Sequence, residues 1–295
     1  MIVIKLWGGL GNQLFQYAYG YQLAKKTGTT IILDTSWFDK QNLREPEILK
    51  LNLKYNGVEN YAQKNYDIRL MNSKILNIAI RIPKYAHYEL KKIDYLKESR
   101  FRYLQTLNDY NISNTYIDGY WQCPKYFDWV RDDLIQLYVP LGIRDEVISF
   151  GNKLSTINST AVHVRHGDYK STHRRWYSRL KIIGKDYYDE AIKLMKNKKM
   201  ETHYFVFSDD IEGAKTELKN VIGNDLDSVS HYFSNLSGLE EWYLMSKCQN
   251  QIIGNSTFSW WAAYLNLNNN KIVIAPDKYM GNDDIIPCNW YKITV

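Results

Sequence analysis

The chain has 295 residues, of which 45% are apolar and 15% aromatic, and it carries a formal net charge of +6. This length suits one large domain or two of about 150 residues, and the low counts of 16 glycines and 6 prolines exclude a collagen-like or linker-rich chain. The charge is compatible with phosphate-bearing ligands or an anionic membrane surface and is diagnostic of neither.

The first 34 residues are predicted to form a β–α–β unit. Residues 2–7 are mostly apolar and indicate a buried strand, and the glycine-rich turn GGLGNQ (8–13) follows them. Apolar residues then recur at helical spacing up to Gly28, which we interpret as the glycine cap of a helix. A second apolar run at 31–34 completes the unit, and its two strands are expected to be parallel.

Residues 40–115 are less regular, and they are rich in Lys, Asn and Tyr with fragments of helical pattern. Between Arg81 and Arg102, seven residues are basic and three are acidic. We interpret this run as a solvated helical face. A patch for a membrane surface or an anionic partner is the alternative.

The second half alternates between strand and helix patterns. Strands are predicted at 160–165, 203–208, 229–234, 251–254 and 271–275. Helices are predicted at 186–198, 211–219, 238–248 and 258–266. This alternation indicates a parallel, doubly wound sheet, in which ligands bind at the carboxyl ends of the strands. The boundary between the halves is expected near 140–158, which gives domains at 1–155 and 156–295.

The heptapeptide HVRHGDY (163–169) places several ionisable residues at the end of the strand predicted at 160–165. His163 and Arg165 are two residues apart, so they share a face of that strand. The planar guanidinium of Arg165 can hold a phosphate in bidentate fashion and does not lose its charge. A structural arginine paired with Asp168 is the alternative.

Polar residues also follow other predicted strands. In GNSTFSWW (254–261), small hydroxyl residues open a helix, where they can cradle a phosphate or act as a plain N-cap. After strand 203–208, Asp209 and Asp210 can bind a ribose or cap the next helix. The turn at 8–13 favours an oxygen-rich ligand or is only a tight turn, and it matches neither the dinucleotide fingerprint nor the P-loop.

Two acidic motifs remain. Glu240 and Glu241 lie near a helix start, where they complement the helix dipole, or one of them accepts the paired N–H donors of a guanine edge. The Asp-x-Asp pattern at 225–227 is typical of metal-dependent sugar transferases, but no predicted strand precedes it and we interpret it as a solvated turn. No metal site is therefore predicted, and the scattered cysteines have no CxxC spacing.

Six stretches of the chain form an ordered set of motifs. They are GGLGNQLFQYAYG (8–20), DGYWQCPKYF (118–127), HVRHGDY (163–169), FVFSDD (205–210), LMSKCQNQIIGNSTFSWWAAYLN (244–266) and KIVIAP (271–276). Together they span nearly the whole chain and resemble the bacterial α-1,2-fucosyltransferases of glycosyltransferase family 11. The resemblance implies an α/β, GT-B-like fold of two Rossmann-type domains, acceptor-side first and donor-binding second, with a cleft between them.

The resemblance also implies an activity. It is the metal-independent, inverting transfer of L-fucose from GDP-β-L-fucose to a β-galactoside of an O-antigen-type surface glycan, without a cofactor. His166 stands where the family usually has a second arginine, and Glu241 stands where aspartate is commoner. A related 6-deoxy-sugar nucleotide is therefore an alternative donor.

The resemblance also implies roles for individual residues, according to their positions in the motifs. Arg165 resembles the arginine that grips the donor diphosphate. The predicted donor-binding residues are His163, Arg165, His166, Glu241, Ser256, Thr257, Phe258 and Ser259. Gly9, Gly11, Asn12 and Gln13 are predicted to line the cleft from the first domain. For the base that deprotonates the acceptor hydroxyl we nominate Asp168, with His166 or a carboxylate outside the motifs as alternatives.

The chain is expected to be cytoplasmic. No run approaches the roughly 18 apolar residues of a spanning helix, and residues 1–7 are too short and interrupted for a signal peptide. Peripheral contact with the cytoplasmic face of the membrane is left open. A nucleic-acid partner is not expected, because the polar clusters lie at strand ends rather than on one exposed face.

Overall fold

The computed structural model describes residues 1–65, 68, 71, 85–89, 93–98, 102–108, 114–165, 183–198, 201–223, 226–228, 232–233, 235–277, 279, 282 and 284–295. The chain forms two compact units, Met1–Leu141 and Gly142–Val295. Each unit has a largely parallel sheet with helices, so the predicted α/β class with two Rossmann-type domains is confirmed. The predicted cleft between them stays a prediction. The division after Leu141 assigns residues 142–155 to the second unit, whereas the sequence placed them in the first.

The first unit contains β1 (Ile2–Lys5), β2 (Ile31–Asp34), β3 (Gly57–Glu59), β4 (Tyr85–Glu89), β5 (Asp94–Glu98) and β6 (Thr115–Asp118). Its helices are α1 (Leu10–Thr27), α2 (Tyr61–Lys64), α3 (Gln105–Asn108) and α4 (Arg131–Leu137), with short 3-10 turns at Phe38–Lys40, Glu47–Lys50, Pro124–Tyr126 and Asp128–Val130. The sheet has the order β3-β2-β1-β6-β5-β4. The β4–β5 pair is antiparallel and the other neighbours are parallel.

Helix α1 packs closely on the middle of this sheet because a glycine faces the strands. A Cβ on Gly20 would lie 2.3 Å from Cδ1 of Ile4 and 3.2 Å from Cδ1 of Ile117. Any larger residue would therefore push the helix away from β1 and β6. The helix ends at Gly28, whose φ of 63° is left-handed, so the predicted glycine cap is confirmed.

A β-hairpin occupies part of the segment for which the sequence predicts a solvated helical face. Strands β4 and β5 pair in register from Tyr85 opposite Glu98 to Glu89 opposite Asp94. The helical interpretation is wrong at these strands because pairing of β5 with the distant β6 overrides local pattern. The rings of Tyr95 and Tyr116 stack 5.6 Å apart across that pair. Much of the basic run between residues 81 and 102 lies outside the described residues.

The second unit contains β7 (Ser159–Val164), β8 (His203–Ser208), β9 (Leu226–Ser228), β10 (Asn250–Ile252), β11 (Val273–Pro276) and β12 (Tyr291–Ile293). Its helices are α5 (Asp145–Thr156), α6 (Lys185–Lys198), α7 (Ile211–Ile222), α8 (Gly238–Lys247) and α9 (Thr257–Leu265). The order β9-β8-β7-β10-β11-β12, with parallel neighbours throughout, is the strand order of the Rossmann fold.

Most elements predicted for this half are confirmed within a few residues. The structure has a strand at 226–228, whereas most of the strand predicted at 229–234 lies outside the described residues. Asp227 is consequently on a strand instead of in a solvated turn, and its carboxylate accepts a hydrogen bond from Tyr232 Oη at 2.5 Å. The sequence did not predict β12 or α5.

Each sheet has one point where the strand order reverses, between β1 and β6 in the first unit and between β7 and β10 in the second. Ligands of open α/β sheets bind outside the carboxyl ends of the strands at such a point. The turn at 8–13 follows β1, and residues 119–122 follow β6. His163 and Arg165 lie at the end of β7, and residues 253–256 follow β10. Each unit therefore has a candidate site at its own switch point.

Candidate active site

The carboxyl ends of β7 and β10 are held together by tyrosines. Tyr188 of α6 donates a hydrogen bond to the carbonyl oxygen of His163 at 3.0 Å, and Tyr187 donates to that of Ile253 at 2.5 Å. A Cβ on Gly254 would lie 3.2 Å from Tyr188 Oη and 3.5 Å from the His163 carbonyl oxygen. The backbone that leads from β10 into α9 therefore runs directly beside the end of β7.

His163 is a neutral, buried histidine at this point. It is 7% exposed, and its Nδ1 is buried without a hydrogen-bond partner among the residues that the structure describes. Burial and then the charge of Arg165 lower its pKa to about 3, although Asp209 opposes them. Its ring lies 6.1 Å from the ring of Phe258 in α9. A buried polar atom without a partner is costly, so a ligand atom that bonds Nδ1 would relieve that cost.

Arg165 directly follows β7 and is half-buried at the same edge of the sheet. The charge of Arg165 acts on His163 and, after burial, is the next cause of the lowered pKa of that histidine. His166 and Asp168, the other predicted residues of the motif, lie outside the described residues. The choice between a ligand-binding Arg165 and an Arg165–Asp168 pair therefore stays open at this point.

The start of α9 presents small residues and amides to the same edge. Ser256 is the residue before the helix, and its side chain makes no capping hydrogen bond. The plain N-cap interpretation therefore does not hold for Ser256. Ser259 is fully buried and donates from Oγ to the carbonyl oxygen of Ser256 at 3.2 Å. Thr257 and Phe258 form the first turn, whose backbone amides and helix dipole favour an anion.

The pair Asp209 and Asp210 divides into a structural residue and a site residue. Asp210 caps α7, because its Oδ1 accepts a hydrogen bond from Gly213 N at 3.1 Å. Asp209 instead acts on both His163 and Glu241, so it lies in the candidate site. Our sequence prediction did not include Asp209 among the site residues. The N-cap rule allows either aspartate to cap α7, and only the hydrogen bond from Gly213 N shows that Asp210 is the cap.

The glutamates of α8 divide in the same way. Ser237 and Glu240 form a capping box, with Ser237 N donating to Glu240 Oε2 at 2.9 Å. Arg144 donates from Nε to Glu240 Oε1 at 2.7 Å, and this bond is the main cause that lowers the pKa of Glu240 to about 2. Glu241 has no side-chain hydrogen bond within the described part of the chain, and burial followed by the charge of Asp209 raises its pKa to about 7.

The switch point of the first unit is built from the predicted turn and a second loop. Gly8 has a φ of 81°, and a Cβ there would lie 2.7 Å from Asn12 Nδ2, so only glycine fits. Gly9 precedes α1 and, like Asn12, is half-buried. Asn12 Oδ1 accepts a hydrogen bond from Gln122 Nε2 at 3.0 Å, which joins the loops that follow β1 and β6.

Two of the four residues predicted to line this turn are buried. Gly11 lies inside α1 and Gln13 is fully buried. Gln13 donates from Nε2 to the carbonyl oxygens of Gly8 and Glu45, each at 2.9 Å, and its Oε1 accepts from Ile48 N at 3.0 Å. In this structure Gln13 therefore holds two loops together, and Gly9 and Asn12 form the accessible part of the turn.

A depression elsewhere in the first unit is not part of the candidate site. It has a volume of about 590 Å³ and includes Gly28, Ile31 and Asn56. These residues lie at the end of α1 and at the amino ends of β2 and β3. Ligands of α/β sheets bind at the opposite, carboxyl edge.

The profile of glycosyl transferase family 11 matches residues 1–294. The chain belongs to glycosyl transferase family 11. The family predicted from the six motifs is therefore confirmed, and the protein is a glycosyltransferase.

Two proteins of Escherichia coli are similar to this chain over nearly their whole length. The O-antigen biosynthesis glycosyltransferase WbnK is 29% identical over 298 residues, which cover 95% of each chain. An alpha-1,2-colitosyltransferase is 30% identical over 305 residues, which cover 99% of each chain.

Solved structures are also similar to this family member. The fucosyltransferase NodZ from Bradyrhizobium is 13% identical, with a TM-score of 0.49 over 88% of this chain and 91% of that chain. The E. coli ADP-heptose LPS heptosyltransferase II is 11% identical, with a TM-score of 0.44 over 99% of this chain and 89% of that chain.

Proposed function

We propose that this protein transfers L-fucose from GDP-β-L-fucose to the 2-hydroxyl of a β-galactoside in an O-antigen-type surface glycan, without a metal ion. One observation carries the proposal: Arg165 and the start of α9 lie at the switch point of a parallel sheet, where Phe258 of α9 approaches the buried His163. Family membership and the O-antigen relative support sugar transfer to a surface glycan.

Arg165 and the first turn of α9 bind the donor diphosphate. Negative charge grows on the leaving diphosphate as its bond to the sugar breaks, and preorganised positive groups aimed at that charge are usually the largest catalytic term. The guanidinium supplies a full charge and the helix start supplies amides and a favourable dipole. Because His163 is neutral, Arg165 supplies the positive charge on this side of the site, while Nδ1 of His163 offers one further polar contact.

Glu241 reads the guanine base. A carboxylate that accepts the two parallel N–H donors on one edge of guanine makes a charge-assisted, bidentate pair. Glu241 fits this role because its carboxyl group is not used by the described residues around it, in contrast to Glu240. With a pKa raised to about 7, Glu241 is partly ionised at neutral pH, and hydrogen bonds from guanine would favour its ionised form.

A second donor, GDP-colitose, is favoured by one specific observation. The relative that is 30% identical over 99% of both chains is named an alpha-1,2-colitosyltransferase. Colitose is L-fucose without one ring hydroxyl, so both donors would present the same diphosphate and guanine to the residues described above. Discrimination between them depends on contacts with the sugar itself.

Transfer assays with purified protein test the proposal. We expect GDP-fucose and a β-galactoside to yield an α-linked product in the presence of a metal chelator, and parallel reactions with GDP-colitose rank the two donors. Arg165→Ala should reduce turnover by about 10²–10³-fold without loss of fold.

Arg131→Ala is the matched control for that substitution. It removes an arginine at the start of α4 in the other unit and should leave turnover unchanged. Absence of both transfer and donor hydrolysis with either sugar nucleotide would reject the proposed function. A fully active Arg165→Ala protein would reject the assignment of the arginine alone.

A further inference from the structure

We infer that Glu98, the last residue of β5, is the base that takes the proton from the acceptor hydroxyl. The inference rests on the proposed transfer function and assigns its missing catalytic group. It names a carboxylate outside the six motifs, in place of Asp168.

In the described part of the first sheet, four parallel strands have an acidic residue at their carboxyl end. Three of these four carboxylates are engaged in other contacts. Asp34 is fully buried and accepts hydrogen bonds from Ser36 N, Ala62 N and Tyr116 Oη. Asp118 accepts from Lys5 Nζ at 2.9 Å and from Tyr95 Oη at 2.6 Å. Glu59 pairs with Lys64 at 3.3 Å. Glu98 is the fourth.

Within the described part of the chain, Glu98 is held through one of its two oxygens. Its Oε2 accepts hydrogen bonds from the backbone N–H groups of Tyr120 at 2.6 Å and Trp121 at 3.0 Å. Its Oε1 has no hydrogen-bond partner among the described residues, and the side chain is only partly buried. One oxygen therefore orients the carboxylate, and the described residues leave the other for a hydroxyl, which is the geometry that a general base requires.

The loop after β6 is shaped around this carboxylate. A Cβ on Gly119 would lie 2.4 Å from Cβ of Glu98 and 2.9 Å from its Oε2, so a glycine is required for this approach. Trp121 has a φ of 58°, a left-handed conformation that is unfavourable for a bulky residue. Backbone strain of this kind persists where the surrounding structure enforces it, and it is frequent at functional sites.

Groups suited to a sugar lie on this loop and on the segment that follows β1. The rings of Trp7 and Tyr120 are 4.0 Å apart between centroids, and Asn12 and Gln122 are bonded across the switch point. Nε1 of Trp7 is buried without a hydrogen-bond partner among the described residues. Aromatic faces with a few convergent polar groups are typical of small-molecule sites, and here they adjoin the backbone that holds Glu98.

The protonation behaviour of Glu98 is consistent with this role. Burial raises its pKa to about 7 against the opposing effect of the two amide hydrogen bonds, and the charge of Asp118 adds to the rise. Burial alone would also raise the pKa of Asp118, but Lys5 and Lys97 outweigh it and lower that pKa. Tyr126, the other titratable group that senses Glu98, has its pKa raised and stays neutral. A base with a pKa near the working pH is the most effective.

The transfer step balances with Glu98 as the proton acceptor. The hydroxyl oxygen of the acceptor forms a bond to C1 of the donor sugar while its proton passes to Oε1 of Glu98. The bond between C1 and the phosphate oxygen breaks, and its electron pair leaves with GDP. Glu98 then releases the proton to water, so the step needs no further reactant.

Glu98→Gln tests the inference, because a glutamine oxygen can still accept both amide hydrogen bonds. We expect unchanged GDP affinity and a kcat lower by about 10²–10⁴-fold. In the wild type, kcat/KM for the acceptor should rise about tenfold per pH unit up to the pKa of the base and then level off, and Glu98→Gln should lose this rise. Glu59→Gln, a matched change at another strand end, should keep the wild-type profile.

Asp118→Asn provides an independent readout even if Glu98→Gln does not fold. Removing the charge of Asp118 should shift the wild-type rise of kcat/KM to lower pH, because that charge raises the pKa of Glu98. The inference would be overturned if Glu98→Gln kept the turnover and pH profile of the unmodified protein, or if Asp118→Asn did not shift that profile. Transfer by the unmodified protein would still uphold the proposed function in either case. A wild-type protein without any transfer would instead overturn the proposed function, and this inference with it.

Discussion

Glu98 and Glu241 are the two glutamates whose pKa the fold raises to about 7 within the described residues, and burial is the main cause for both. In each case the protonated form is favoured over its state in the unfolded chain. The resulting contribution to stability is present below the usual glutamate pKa of 4.5 and is lost as the pH rises through about 7. Above a pH of about 7 both glutamates are ionised, and their ionisation lowers the free energy of unfolding. Groups with such shifted pKa values are common at functional sites.

Glu241→Gln should remove the preference for guanine without abolishing diphosphate binding. The wild type is expected to bind GDP more tightly than inosine diphosphate, which lacks the 2-amino group. The substitution should reduce this preference by about tenfold or more, since hydrogen bonds to a charged group contribute about 1.5–3 kcal/mol. Calorimetric titration of both nucleotides measures it.

The preference for GDP over inosine diphosphate should increase with pH. Glu241 is ionised above its pKa of about 7, so the preference for GDP should be larger at a pH of about 8 than at about 6. Glu240→Gln is the control, because a glutamine oxygen can still accept from Ser237 N and this substitution should reduce the preference much less than Glu241→Gln does. An equal preference in Glu241→Gln and the wild type would contradict guanine recognition by Glu241.

Helix α8 carries Glu241, and its first turn is fixed by the capping box and by Arg144, the residue that precedes α5. Ser237→Ala should lower the free energy of unfolding by about 1 kcal/mol, because one helix amide loses its partner. It should also weaken GDP binding modestly while transfer persists, since the turn that positions Glu241 is loosened. Urea unfolding and GDP titration measure the two effects.

Ser155→Ala is the control for this helix. Ser155 lies in the last turn of α5, where its exposed hydroxyl donates to the carbonyl oxygen of Asn152. The substitution should change GDP affinity much less than Ser237→Ala does. If Ser237→Ala altered neither stability nor affinity, the capping box would have no role in the site.

The elements of the donor-binding unit could be predicted because their signals are local. Helical spacing and strand runs identify α6 to α9 and β7, β8, β10 and β11 to within a few residues. The hairpin of β4 and β5 could not be predicted, because β5 is fixed by pairing with β6 and by the Tyr95–Tyr116 stack. Glu98 ends that strand, so its position at a site was also not predictable.

The sites themselves depend on strand order, which local sequence does not encode. Residues 8–13 and 119–122 meet only because β6 pairs with β1, and residues 163–165 and 253–256 meet only because β10 pairs with β7. The motifs predict which strand ends carry ligand-binding residues. The separation of Asp209 from Asp210 and of Glu241 from Glu240 required the hydrogen bonds of the folded helices.

Peripheral contact of the molecule with a membrane, which the sequence left open, is not tested by the structure. None of the helices in the described part of the chain combines the length and apolar content needed to cross a bilayer. The basic run between residues 81 and 102, the sequence feature that suggested a membrane surface, lies in large part outside the described residues.

The central claim is that the second unit binds a guanosine diphosphate sugar at its switch point, and a crystal structure of the protein with GDP tests it most directly. The account predicts density for the diphosphate against Arg165 and the first turn of α9, with the guanine edge on Glu241. GDP bound elsewhere, with Arg165 engaged in an internal ion pair with Asp168, would contradict it.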